Sequence, residues 1–311
     1  MPDAFTGTGA SGLDTAAYDL AIKYAFRASL VFDKMADVKS TNQSHNGATV
    51  TFTKMNDLAP ATAPLAETTD ISAVQATDTP VTVTLAEYGN TVVTTALLRG
   101  TSFVPFDPTV SNRITFNAAE SIDAIAMAPL VAGTRTNKLD VSGATAGPGI
   151  AGPNLNGATL RTAYTRLAGA NVPKSDGGYY WLVIHPNQSF DLRAEVGAGS
   201  WRVPQEYNGM TGGIINGEVG QFEGFRVIET TKVPGTGASP NTKYSAVAGG
   251  RECLAKAWSR NDGYGPDPRT VSVDTLDRLQ RFRYIGWKHL VGYNLFREEA
   301  SVLIITASTA D

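Results

Sequence analysis

Cys253 is the only thiol in the chain. It has no partner for an internal disulfide and cannot build a thiolate metal cluster. As a nucleophile it would need a base beside it, and His45, His185 and His289 stand in no recognisable relation to it. Its expected role is that of a small buried hydrophobe. His185, before Pro186 at the end of an apolar run, reads as a satisfied loop histidine. The carboxylates are scattered, with no spacing that suggests a glycosidase pair or a metal site. P-loop, H-E-x-x-H, C-x-x-C and G-x-S-x-G patterns are absent. Gly7-Thr8-Gly9-Ala10-Ser11-Gly12 matches the dinucleotide-binding expression, but only six residues precede it, too few for the strand that mechanism needs. No catalytic residue, cofactor or metal is expected, and the chain reads as a non-enzyme.

The basic residues carry more information. Arg278, Arg281, Arg283, Lys288, His289 and Arg297 lie within about 20 residues, interleaved with Phe282, Tyr284 and Trp287. No element that could read a nucleic-acid groove is evident. A loose phosphate-facing patch is one reading. Pairing with Asp274, Asp277, Glu298 and Glu299, within the chain or between chains, is the favoured one.

These residues must be held by a mixed framework. Leu13, Ala17, Leu20, Tyr24, Ala28 and Val31 recur at helical spacing, so residues 13–38 read as a helix with apolar area on more than one face. Thr49–Thr53 and Val81–Leu85 alternate strictly with β-branched residues and read as two strands. The 25 or so residues between them are polar and Pro-punctuated, which suits a projecting hairpin better than a domain core. A two-stranded ribbon is marginal alone in water. Val50, Phe52, Val81, Val83 and Leu85 are therefore expected to rest on a neighbouring copy, as are Leu20 and Tyr24 of the leading helix. Arg281, Arg283 and Lys288 complete the expected inter-subunit contacts.

Asp107-Pro108 starts a helix whose face carries Val110, Ile114, Ala118, Ile122 and Ile125, ending near Pro129. Its 22 or so residues span about 33 Å. Residues 134–153 read as loop, 155–170 as a second helix, 179–184 as a buried strand, and 188–196 as a helix capped by Asn187. Strands are expected at 225–228, 282–287 and 301–306, with a Pro/Gly loop at 232–243. Strands and helices intermix without regular βαβ alternation, so the class is α+β.

Composition agrees with a protein that works in company. The 311 residues are 42% hydrophobic and only 18% charged, below the roughly 25% charge usual in globular chains. A net charge of -3 gives no bulk signature of a nucleic-acid binder. No apolar run reaches the 18 or so residues that span a bilayer, and MPDAFTGTGASG lacks a signal-peptide layout. The chain is expected to be made in a cytoplasm and to avoid membranes.

Leu85-Ala86-Glu87-Tyr88-Gly89-Asn90, with the apolar-Thr run after it, resembles a motif of tailed-phage major capsid proteins. Residues 217–230, GEVGQFEGFRVIET, look like the most specific signature of that group. Ile184-His185-Pro186, Asp191-Leu192-Arg193 and Gly286-Trp287-Lys288 are similar in order and spacing. The likeness is to the Enquatrovirus-type major capsid family, within the Hong Kong 97-type fold, over residues 13–306.

The resemblance implies an N-terminal arm over 1–40, an extended E-loop hairpin over 41–90, and a P domain over 91–177 with a spine helix at 107–129. It further implies an A domain over 178–270 and C-terminal strands over 271–311 returning to the P domain. The implied function is a virion shell subunit, assembled in a bacterial cytoplasm into hexamers and pentamers that enclose double-stranded DNA. Portal, scaffolding and decoration proteins are the implied partners, and contact with DNA would be non-specific. Some members of the fold crosslink subunits through an E-loop lysine. Here Lys54 lies at the hairpin base and residues 55–80 hold no lysine, so no crosslink is expected. An encapsulin-like nanocompartment shell, a phage decoration or tail protein, and an enzyme with an unrecognised pocket are the alternatives.

Overall fold

The leading segment ends differently from its helical pattern. In the computed structural model, a 3₁₀ turn, Phe32–Met35, gives way at Ala36 to extended backbone and a short strand, β1 (Val38–Lys39). Fully buried Phe32 and parallel pairing of β1 with a strand more than 200 residues away override local helix propensity. The structure describes residues 31–39, 47–62, 64–65, 67–68, 70–102, 106–143, 153–175, 178–194, 218–237, 242–259, 264–274, 279 and 281–310. The glycine motif at 7–12, Leu20 and Tyr24 of the expected helix, His45 and Arg278 lie outside the described residues.

The alternating segments form the expected hairpin. β2 (Thr49–Met55) and β3 (Asp78–Thr84) pair antiparallel, Thr49 opposite Thr84 and Met55 opposite Asp78. β4 (Ala86–Thr95) follows at once, then α1 (Ala96–Thr101), whose Thr95 cap accepts the Leu98 N–H at 3.2 Å.

The long helix α2 (Phe106–Leu130) begins one residue before the expected Asp107 cap and continues through Pro129. Its buried positions are Val110, Ile114, Ala118, Ile122, Ala126 and Leu130, with Ile125 only half-buried. Each four-residue step advances about 40° around a 3.6-residue helix, so this stripe winds as it goes. The N-terminal part faces one core and the C-terminal part another: Val110, Ile114 and Ala118 pack on Ile285 and Trp287, whereas Ala126 and Leu130 join the main cluster with Leu155 and Leu182.

The expected loop after α2 contains a strand, β5 (Lys138–Asp140), held by parallel pairing at a sheet edge. α3 (Gly157–Gly169) is capped by Asn156, whose Oδ1 accepts the Thr159 N–H at 2.9 Å. β6 (Tyr180–Ile184) is buried throughout and leads into α4 (Pro186–Ala194). The cap of α4 is His185 and not Asn187. His185 Nδ1 accepts the Asn187 N–H at 3.2 Å, and Gln188 Oε1 accepts the His185 N–H at 3.1 Å, a reciprocal box with Pro at the first helical position.

The rest is strand: β7 (Glu218–Phe222), β8 (Phe225–Glu229), β9 (Gly235–Thr236), β10 (Lys243–Gly249), β11 (Leu254–Trp258), β12 (Arg269–Asp274), β13 (Phe282–Leu295) and β14 (Ser301–Thr306). β5, β14, β10, β6, β8 and β7 form one sheet in that order, with β9 on β10; α3 joins its apolar core. The other sheet is organised by β13. β11 and β12 lie end to end along one edge of it, and β4 pairs along the other through ten positions, Thr95 opposite Phe282 to Ala86 opposite Val291. Mixed parallel and antiparallel pairing with helices packed beside it is the expected α+β class.

Candidate assembly surface

The base of the hairpin is built into its own chain. Val83 is completely buried against Ala255 and Ala257, with Val38, Val50, Phe52, Leu85 and Phe296 partly buried around it. Phe52 meets Phe296 edge to face at 6.5 Å. Asn294 Nδ2 donates to the Thr82 carbonyl at 2.8 Å, and the Leu85 N–H to the Ala48 carbonyl at 2.9 Å. Val83 thus has no surface left for a neighbour, which corrects the expectation for that residue. Val50, Phe52, Val81 and Leu85 keep part of theirs.

Beyond the base the ribbon stands away. Asn56 extends the pairing by one step, its N–H donating to the Thr77 carbonyl at 3.0 Å and its Nδ2 to Thr77 Oγ1 at 3.2 Å. The described residues beyond it are exposed. Met55, Leu58, Leu65, Ile71 and Val74 expose between 58% and 76% of their surface, five of the eight large exposed hydrophobics among the described residues. Covering one such side chain is worth about 1.5–3 kcal/mol. A concentration of them on one projection marks a surface that is finished by another molecule.

The basic cluster is dispersed along β13. Arg281 lies over the Phe282 ring at 5.5 Å, and Lys288 Nζ over the Tyr264 ring at 4.5 Å, where Tyr264 also donates to Glu87. Arg283 stands opposite Asp274 in the ladder. Arg297 pairs with Glu299 at 3.6 Å, and Glu299 also faces Lys54 at 4.0 Å. Glu298 accepts the Thr136 N–H at 2.6 Å and the Asn137 N–H at 3.3 Å, and those bonds hold its carboxyl below the usual range against the opposing effect of burial. Pairing within the chain therefore accounts for Glu298, Glu299 and Arg297.

The residues that could have done chemistry are enclosed. Cys253 is fully buried, and burial pushes its thiol up, away from the reactive thiolate. His185 stacks on Tyr244 at 4.4 Å. His289 is fully buried with neither ring nitrogen hydrogen-bonded to protein, and burial, with Lys256 nearby, lowers its pKa to about 4. Among the described residues, no group of three or more His, Cys, Asp or Glu is placed to hold a metal ion, and no helix is long and apolar enough to cross a membrane.

A polar joint that sequence reasoning missed lies beneath α2. Asp33 Oδ1 accepts from Lys256 Nζ at 2.7 Å and from the Tyr293 hydroxyl, while the Asp33 N–H donates to Asp123 Oδ1 at 3.1 Å. Burial raises the Asp123 and Tyr293 pKa values, with the Asp33 charge adding to both. The joint ties the leading segment, α2, β11 and β13 together across more than 200 residues, and no local pattern could have disclosed it.

The profile of the phage capsid protein family matches residues 31–303. No curated protein matches the chain. Among solved structures, the chain is similar to the capsid protein of cyanophage P-SCSP1u, with a TM-score of 0.68 at 15% identity over 98% of this chain and 96% of that one. The Ralstonia phage GP4 capsid protein gives 0.69 at 14%, covering 95% of each chain, and that of cyanophage Pam1 0.64 at 12%, covering 100% of each.

Proposed function

Because the chain belongs to the phage capsid protein family, we propose that it is the repeating subunit of a virion head, closing into hexamers and pentamers around double-stranded DNA. Its fold is that of the Hong Kong 97-type shells, and its work is structural, not catalytic. The single observation that carries the finer reading is the hairpin: a base packed on its own chain and a projecting end that exposes five large hydrophobic side chains. Such a projection is costly in a lone molecule and productive where each copy covers the next.

In this reading the hairpin is the E-loop, α2 the spine of the P domain, and the sheet around β10 and β14 the body of the A domain. Residues 1–40 are assigned to the N-terminal arm; of the C-terminal strands over 271–311, β13 returns to the P domain, packing under α2, whereas β14 pairs with β10 and departs from the expected return. Portal, scaffolding and decoration proteins are the partners such a shell would meet, and packaged DNA would touch it without sequence preference. The finer likeness to the Enquatrovirus-type group rests on sequence motifs alone.

Electron microscopy of the purified chain at rising concentration tests the reading. Rings or closed shells are expected, and a monodisperse single chain at high concentration would overturn it. Particles recovered from infected cells should hold nuclease-protected double-stranded DNA; shells filled with one protein species would favour a nanocompartment instead.

A further inference from the structure

His289 stands level with a break in the sheet built on β13. Along one edge of that strand, β11 ends with Trp258 opposite Val291, and β12 begins with Arg269 opposite Lys288. Strand alternation puts the His289 ring on the side of Trp287 and Tyr293, beneath α2. The ring is fully enclosed, and neither of its nitrogens is hydrogen-bonded to protein. A neutral imidazole carries one donor and one acceptor, and an imidazolium carries two donors and a charge. An enclosed ring without partners is far better tolerated neutral than charged.

The cavity beside the joint, of about 220 Å³, is bounded by Asp33 and Lys34, by Asp123 of α2, by Lys256 of β11 and by Pro266 and Asp267. Lys34, Pro266 and Asp267 are exposed, so it opens on solvent. Three of its groups act on His289. Burial opposes a proton on the ring most, Lys256 opposes it next, and Asp267 and Asp33 favour one without outweighing them. Of the other elements, α2 contributes Asp123 to the joint. The remaining titratable neighbours are phenols, Tyr88 opposite His289 in β4 and Tyr293 on β13.

Asp33 is the anion on which the joint turns. Its carboxylate holds the buried Lys256 ammonium at 2.7 Å and the Tyr293 hydroxyl, and its N–H donates to Asp123 at 3.1 Å. A proton on His289 places a second enclosed cation beside Lys256. If Asp33 stays with Lys256, the imidazolium is unpaired; if it turns to the imidazolium, Lys256 is. Asp267 is exposed at the cavity mouth, where solvent screens it. A buried charge is thus left without its counter-ion, which strongly destabilises the structure around it. The wall with least hold is the leading segment: β1 joins β11 through two positions, whereas β11 joins β13 through five. We infer that the joint beneath α2 is an acid-released latch: a proton taken up at His289 parts Lys256 from Asp33 and lifts the turn Phe32–Met35 off α2 and β11. Solvent supplies the proton through the cavity mouth. The latch belongs to the single chain and is independent of the shell reading.

Amide hydrogen exchange of the full chain between about pH 7.5 and 4.5, corrected for the intrinsic effect of pH on exchange, reads the opening. Peptides within 31–39 should gain exchange by about 50- to 100-fold relative to β6 and β10, as a His289 pKa of about 4 closed and 6.5 open requires. An ordinary carboxylate, with a pKa of about 3.9, stays mostly ionised over that range, so Asp33 is not the trigger. Equal gain in β6 and β10, or no gain in 31–39, would overturn the latch. H289Q should hold 31–39 level over the same range, and an acceleration matching the parent's would overturn it too. Where H289Q does not fold, nuclear magnetic resonance of the parent decides. The His289 ring signal, assigned by elimination with H45Q and H185Q, should titrate with the midpoint of exchange in 31–39. A different midpoint, or no titration, would refute the latch.

Discussion

A β-carbon on Gly292 would stand inside the contact distance of the Thr84 carbonyl oxygen. That close approach lets the hairpin base lie along β13, and the same missing side chain leaves room for Val83. Gly292→Ala should destabilise the chain by about 1–3 kcal/mol, the usual effect of overfilling a packed site. Amide exchange should quicken first in β3. Gly47, with open space around its α-carbon, is the control, and Gly47→Ala should leave unfolding by urea unchanged. Equal loss in both variants would show that the close approach is unimportant.

Arg135 ties the end of α2 to the start of β14. Its guanidinium is buried, with Nη1 donating to the Leu130 carbonyl at 2.8 Å and Nη2 to the Ser301 carbonyl at 2.6 Å and to Ser301 Oγ at 2.9 Å. A cation on the last carbonyls of a helix also suits the helix dipole. Arg135→Met should cost about 3 kcal/mol, because it leaves enclosed carbonyls without donors. Arg135→Lys should recover little of this, since an ammonium cannot span both carbonyls as the planar fork does. Urea unfolding of both variants checks the order.

His289 and the polar joint whose charges act on it give stability a pH dependence of calculable sign. His289 has its pKa lowered to about 4 from the ordinary 6.5. Between those values the unfolded chain binds the proton that the folded chain refuses, so stability falls as pH drops through that window, by up to about 3 kcal/mol. Asp123 acts oppositely: its raised pKa means the folded chain takes up a proton more readily, so acid favours the fold there. His289→Leu should flatten the decline between pH 6.5 and 4. An unchanged slope in the variant would show that His289 is not its source.

How much was legible follows from where each signal resides. The arms of the hairpin were plain because Thr49–Thr53 and Val81–Leu85 alternate with β-branched side chains, a property of each strand alone. α2 was plain from its four-residue spacing, though its drift from Ile122 to Ala126 depends on having two cores to serve. β10 and β11 were missed because KYSAVAG and LAKAW fill their strands with alanine and glycine, which carry little strand propensity. Those small residues answer to a distant one: a β-carbon on Gly249 would strike the Trp181 ring. The contact of Val83 with Ala255 and Ala257, which moved the hairpin base from a neighbour to its own body, likewise exists only in the folded chain.

Lys54, at the foot of the hairpin, faces Glu299 of its own chain at 4.0 Å, and residues 55–80 contain no lysine. The projecting tip therefore carries no amine to form an isopeptide bond with a neighbour. Particles boiled in denaturant should run as one monomer band on a gel. A ladder of covalent multimers would contradict this, and Lys54→Arg would then show whether Lys54 forms the bond.

Leu65, Ile71 and Val74 separate folding from assembly. Each is mostly exposed and touches none of the apolar clusters. Replacing all three with serine should leave the unfolding of the dispersed chain within about 0.5 kcal/mol of the parent, as expected of surface positions. Assembly should suffer far more, because each side chain forfeits about 1.5–3 kcal/mol of burial at every contact. Light scattering against concentration, run beside urea unfolding, reads both quantities on one preparation. Normal assembly by the triple variant would mean that the tip's aliphatic surface stays in water and that the hairpin holds subunits together by other means.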